Sequence, residues 1–207
     1  MNRIVLLTLI TLVPLMAADD GWVSLFNGKD LTGWRVNENP GSFTVKDGAI
    51  VASGPRSHCF YVGDVANHSF TQFELRVDVM TQPKANGGIY IMTDFQEKGW
   101  PGAGFEVQVN NSFPGDFRKT GSLYQVEDIK EQLFKDNEWF TQQIMVKGNT
   151  ITVRLNNKEV VRWVQPADWA GTKEFPERRI RPGTIALQGH DPGSTTYYKN
   201  IQIRLLK

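Results

Sequence analysis

A chain of 207 residues is long enough to bury one sizeable core. Its 23 lysines and arginines nearly cancel its 22 aspartates and glutamates, which argues against a nucleic-acid partner or an anionic membrane surface. The single cysteine, Cys59, excludes an internal disulfide and is read as a small buried hydrophobe.

Residues 1–18, MNRIVLLTLITLVPLMAA, run from a basic start through an apolar stretch to small residues. That order is a secretory leader, too short to anchor the chain in a membrane, and no cysteine at its end would take a lipid. The mature protein is expected in the periplasm or outside the cell. No linker, repeat or low-complexity tract follows, so residues 19–207 are read as one domain.

Trp22, Phe26, Trp34 and Phe43 open that domain as packing aromatics. His58 and His68 lie in a loop-rich stretch and are read as structural. Phe73, Leu75, Val77 and Val79 then alternate with Glu74, Arg76 and Asp78, the period of a half-buried strand. A second strand is NGGIYIMTD at 86–94, and a third, after a Gly/Pro-rich loop carrying Trp100, is GFEVQVNN at 104–111. Residues 126–135 have room for one short helix. Short alternating runs follow at Ile144 and Val146 and at Ile151, Val153 and Leu155; the turn NNKE then leads to Val160 and Val161. The cluster Arg178, Arg179 and Arg181 is read as a solvated loop. GTIALQGH at 183–190 and the run Ile201, Ile203 and Leu205 complete the chain. Many short alternating strands and almost no helical periodicity predict an all-β fold, a sandwich of two antiparallel sheets.

In the strand 104–111, Phe105, Val107 and Val109 share one face, and Glu106, Gln108 and Asn110 the other. A row of hydrogen-bonding groups beside Tyr90, Gln188 and His190 from other strands predicts a sugar-binding cleft. Trp100, an indole on a loop, supplies a face on which the apolar side of a pyranose stacks.

Several motifs in sequence order resemble the 3-keto-disaccharide hydrolase domain family. They are LFNGKDLTGW at 25–34, NGGIYIM at 86–92, GFEVQVNN at 104–111, TGSLY at 120–124, GTIALQGH at 183–190 and YYKNIQIRLL at 197–206. The resemblance implies a concanavalin-A-like jelly roll, the fold of legume lectins and many glucanases. It also implies a secreted bacterial protein that acts on carbohydrate, hydrolysing 3-keto-glycosides. One position departs: the family pattern carries an arginine where this strand has Met92.

Glucanases of that fold place two carboxylates on one strand as nucleophile and acid. Here the comparable strand offers only Glu106, and a partner would have to come from elsewhere, such as Asp94 or Asp78. A 3-keto sugar asks for less. Its ketone acidifies the proton on C2, so one base and a group to hold the enolate oxygen suffice for elimination. Glu106 or His190 is the expected base. Arg76, Gln108, Gln188 or a divalent metal is expected to hold the enolate; no cofactor is called for with certainty. Tyr90, Asp94, Trp100, Asn110 and Tyr124 complete the expected substrate contacts. A non-catalytic, lectin-like carbohydrate-binding module remains the alternative.

Overall fold

The computed structural model describes residues 20–207; the expected leader lies outside the described residues. Thirteen strands form in the order β1 (Trp22–Ser24), β2 (Trp34–Val36), β3 (Phe43–Lys46), β4 (Ala49–Ser53), β5 (Ser57–Tyr61), β6 (Phe73–Thr81), β7 (Gly87–Thr93), β8 (Phe105–Val109), β9 (Phe140–Lys147), β10 (Thr150–Leu155), β11 (Lys158–Val164), β12 (Thr184–Gly189) and β13 (Thr195–Leu205). The larger sheet runs β11-β10-β9-β6-β13-β4-β3, with β1 also paired to β13; the smaller runs β2-β5-β12-β7-β8. Every pairing is antiparallel. The two sheets form the expected jelly-roll sandwich.

Alternation decides what lies between the sheets. Phe73, Leu75, Val77 and Val79 of β6 meet Ile89 and Ile91 of β7, Phe105, Val107 and Val109 of β8, and Leu187 of β12 in one core cluster that also takes in Cys59. Burying each such aliphatic or phenyl side chain contributes roughly 1.5–3 kcal/mol. Burial also raises the pKa of the Cys59 thiol, so it is a packing group.

Two bulges change the phase of the alternation. Asn200, at φ 49°, marks a register shift on β13, so that Tyr198 and Ile201 both reach the core. Met92, at φ 57°, does the same on β7, where Thr93 pairs with Thr184 but Tyr90 with Ala186. Glycines clamp this second bulge. A Cβ on Gly104 would lie 2.2 Å from the Ile91 carbonyl oxygen, and one on Gly183 2.5 Å from the Met92 carbonyl carbon.

Residues 126–135 are irregular, not the short helix expected. Their apolar residues Val126, Ile129, Leu133 and Phe134 pack singly against the core. Backbone groups there bond back to the preceding segment instead of building a helical ladder: the Ile129 amide donates to Ser122 Oγ, its carbonyl accepts the Lys119 amide, and the Val126 and Glu127 amides both donate to the Leu123 carbonyl. Leu205, expected in the apolar run, is exposed at the strand end.

Candidate functional site

The outward face of the smaller sheet is neither bare nor solvated. Loops carrying Trp100, Asp116 and Phe175 fold over it and leave a cavity of about 250 Å³. Glu106 and Gln108 project from β8, Tyr90 from β7 and Gln188 from β12; Asn86, Tyr124, Glu174 and His190 complete the lining. Tyr124 is held there because residues 121–124 pair with the free edge of β8. The Gln108 amide donates to the Ser122 carbonyl at 2.9 Å, and the Tyr124 amide to the Glu106 carbonyl at 3.0 Å.

Glu106 stands at the centre, buried. Its Oε2 accepts the Tyr90 hydroxyl at 2.8 Å and its Oε1 the Gln188 amide at 3.0 Å. The Arg178 guanidinium lies 3.8 Å from Oε2. Burial pushes the Glu106 carboxyl up, which makes it a stronger base, while Arg178 opposes the shift and favours the charged form. Arg178 is itself fully buried, donates to the Tyr124 carbonyl and sits 4.0 Å over the Phe175 ring.

Room for this carboxylate comes from a neighbouring strand. A Cβ on Gly88 would sit 2.7 Å from Glu106 Oε1 and 3.0 Å from its Cγ. Gly88→Ala is therefore expected to push the carboxylate out of its hydrogen bonds and cut turnover by about 10–10²-fold, as misplacement of a reacting group by ~1 Å does. A folded Gly88→Ala protein with unchanged kcat would show that this placement is immaterial.

His190 is held in one orientation. Its Nδ1 lies 2.7 Å from Asp191 Oδ2. A carboxylate only accepts, so Nδ1 carries the hydrogen of this bond. Burial raises the Asp191 pKa, but bonds from His190, Ser194 and the Gly193 amide outweigh it and hold the carboxyl below its ordinary value. Trp100 leans on the His190 ring at 5.1 Å.

Beneath Trp100 lies His58, fully buried, with neither ring nitrogen hydrogen-bonded. Burial pulls its pKa from 6.5 down to about 3. A depressed folded-state pKa means that the unfolded chain binds the proton first as pH falls. Stability is thus complete above about 6.5 and declines toward 3. This one residue is expected to remove roughly 3 kcal/mol between pH 7 and pH 4, at 1.36 kcal/mol per unit. Urea titrations of the wild type and of His58→Phe at both values test it; equal losses would rule the effect out.

Of the expected residues, Glu106, His190, Tyr90, Trp100, Gln108, Tyr124 and Gln188 line this one cavity. Three do not. Arg76 projects from the far face of the larger sheet, where it bonds Gln202 and lies over Trp22. Asp94 is drawn away past the Met92 bulge into an ion pair with Arg181. Asn110 is buried and builds a turn, donating to the carbonyls of Asp116 and Arg118. Met92 packs in the inter-sheet core, so a longer cationic side chain is not what this position offers the cavity. The expected second carboxylates, Asp94 and Asp78, are both elsewhere; those at the cavity are Asp116 and Glu174. Asp116 is engaged by Arg118 at 3.2 Å and Glu174 by Gln125 at 2.6 Å. Arg178, read as solvated, is the buried cation behind Glu106. Among the described residues no group of three or more His, Cys, Asp or Glu is placed to hold a metal ion, and no helix is long and apolar enough to cross a membrane.

The profile of the 3-keto-α-glucoside-1,2-lyase-like domain family matches residues 21–204. A curated 3-keto-disaccharide hydrolase of Bacteroides thetaiotaomicron is 24% identical, across 90% of this chain and 79% of the relative. Among solved structures, a protein described as a glycosyl hydrolase from Parabacteroides distasonis superposes with a TM-score of 0.76 at 24% identity, covering 90% of this chain and 94% of that one. A carbohydrate-binding module from Bacillus subtilis shares the fold at a TM-score of 0.55 and 13% identity, covering 83% of this chain and 95% of the module.

Proposed function

Because this chain belongs to the 3-keto-α-glucoside-1,2-lyase-like domain family, we propose that its cavity cleaves 3-keto-glycosides by removing the proton from C2. The observation that carries this is the buried Glu106 carboxylate on the cavity wall, with the His190–Asp191 pair at the same cavity. A carbohydrate-active role is supported by the family and by the named activity of the Bacteroides relative, a 3-keto-disaccharide hydrolase.

The steps balance with these groups alone. Glu106 takes the C2 proton, and the electron pair moves toward the C3 ketone. Tyr124, which burial keeps in its protonated form, lines the cavity as a hydrogen-bond donor for the enolate oxygen. The enolate re-forms the ketone, a C1=C2 double bond appears and the C1–O bond breaks. His190, its Nδ1–H held by Asp191, gives a proton from Nε2 to the departing oxygen. Water then adds to C1, returning a proton to His190, while the Glu106 carboxyl, its proton exchanged with solvent as the leaving group departs, protonates C2. If the unsaturated sugar leaves before water adds, the outcome is that of a lyase. The side chains of Gln108 and Gln188 line the cavity, and their buried Oε1 atoms have no partner among the described residues, so a turn of either carboxamide would let it accept a sugar hydroxyl.

An acid is needed only for a poor leaving group. His190→Asn is expected to slow a 3-keto-disaccharide by ~10²-fold but a 4-nitrophenyl 3-keto-glucoside by less than tenfold. Equal losses on both would remove His190 from this step.

A second reading has its own observation, the carboxylates Asp116 and Glu174 at the cavity, which with Glu106 would suit ordinary glycoside hydrolysis. Assays against paired 3-keto and unoxidised glucosides, with and without chelator, separate the two. Turnover of the 3-keto member alone supports the proposal, and turnover of both favours a carboxylate pair. Binding without turnover of either points to a lectin-like module. The chelator arm decides separately whether a divalent ion takes part.

A further inference from the structure

The sandwich carries a larger concavity, about 520 Å³, on the outward face of the larger sheet, away from Glu106. We propose that it is a second binding site, for a neutral saccharide chain. It does not rest on the catalytic reading above.

Its shape follows from backbone features. The floor consists of two neighbouring cross-strand rows, Gln202–Arg76–Gln143 and Asp78–Thr141. At one side the β13 bulge lifts Asn200; at the other the turn after β10 lifts Asn156 and Asn157, both at positive φ. Asparagine tolerates that left-handed conformation better than most residues. The two raised edges make a hollow where a regular outer face would be flat, and its volume falls within the ~300–1,000 Å³ of small-molecule sites.

The floor is also fixed in place. Asp78 accepts Thr141 Oγ1 and Asn200 Nδ2, each at 2.7 Å. Arg76 Nε donates to Gln202 Oε1 at 2.7 Å while its guanidinium rests 4.1 Å from the centre of the Trp22 ring. These bonds hold the rotamers, and among the described residues the terminal nitrogens of Arg76 have no hydrogen-bond partner. Gln143 Oε1 is buried and has no hydrogen-bond partner among the described residues. A buried acceptor left so costs about 1–3 kcal/mol, which a hydroxyl would offset once the carboxamide turns toward the hollow.

The chemistry of the lining selects the ligand. Arg76 and Asp78 cancel in charge, and the remaining groups are carboxamides and one hydroxyl. A nucleic acid or phosphate would require excess positive charge. A protein partner would look for aromatic anchors in the centre of the patch, and among the described residues no apolar side chain lines it. Neutral groups that both donate and accept suit adjacent hydroxyls of an uncharged sugar.

The test is calorimetric titration with three probes, maltotetraose, cellotetraose and laminaritetraose, on the wild type, Gln143→Ala, Asn200→Gly and Trp100→Ala. Asn200→Gly removes a carboxamide but keeps the left-handed bulge. At least one tetrasaccharide is expected to bind the wild type and Trp100→Ala alike. Binding should weaken about tenfold in Gln143→Ala and in Asn200→Gly, the worth of one ordinary hydrogen bond. Turnover at the Glu106 cavity should be unchanged in both variants, and their melting temperatures near the wild type's. Binding of none of the three probes overturns the proposal. So does binding that is lost in Trp100→Ala and kept in Gln143→Ala, which would assign the sugar to the Glu106 cavity.

Discussion

Glu106→Gln should lower kcat on a 3-keto-glycoside by ~10³-fold, within the ~10²–10⁴ range of a positioned base, while KM changes little. That corresponds to about 4 kcal/mol in the barrier. Glutamine keeps the length of the side chain and an acceptor for the Tyr90 hydroxyl, but it cannot take a proton from C2. The sugar would still meet Gln108, Gln188 and Trp100, so ground-state binding should survive. The rate is to be compared at equal folded fraction, because Arg178 loses its counter-charge in this variant. An unchanged kcat would show that another group is the base.

Arg178→Met is expected to cost about 3–5 kcal/mol of stability. The guanidinium is buried, so removing it leaves the Glu106 carboxylate buried without its cation. The cation that opposes its desolvation is then gone, leaving the weaker Tyr90 and Gln188 bonds; the carboxyl is pushed further up, and activity should fall as well. The double variant Arg178→Met/Glu106→Gln should regain most of the stability, because no unpaired charge remains, yet stay inactive. Urea unfolding of the four proteins measures the coupling. A single Arg178→Met loss within about 1 kcal/mol would contradict a buried ion pair, since losing one partner of such a pair costs more.

Alternation made the faces legible. Glu106 and Gln108 share a side of β8 because a period of two leaves no choice, and that side is the cavity wall. What alternation cannot carry is which sheet a strand joins. Arg76 stands on the outward face of its strand as expected, but β6 belongs to the larger sheet, and its outward face is the other side of the molecule. Alternation also fails at a bulge. Tyr90, Met92 and Asp94 would share a face in an unbroken strand; the left-handed Met92 turns its own side chain inward and sends Asp94 to Arg181. Arg178 was hidden for a different reason. Three arginines within four positions look alike in sequence, and only the loop that folds over β8 buries one of them. The nearby Phe175, on which the guanidinium lies, was the available hint. His58, a residue with no motif around it, reveals its setting only once Trp100 is seen to cover it.

The central claim is that bond cleavage passes through loss of the C2 proton. Turnover of a 3-keto-glucoside in deuterium oxide tests it most directly, with the sugar product analysed by mass and by NMR at C2. The free 3-keto sugar, incubated alone, corrects for its own exchange. One deuterium at C2 in each released 3-keto sugar, above that control, is the expected result. Cleavage that leaves the original hydrogen at C2 and is no slower for a substrate deuterated there would contradict the account and assign the reaction to direct displacement at C1.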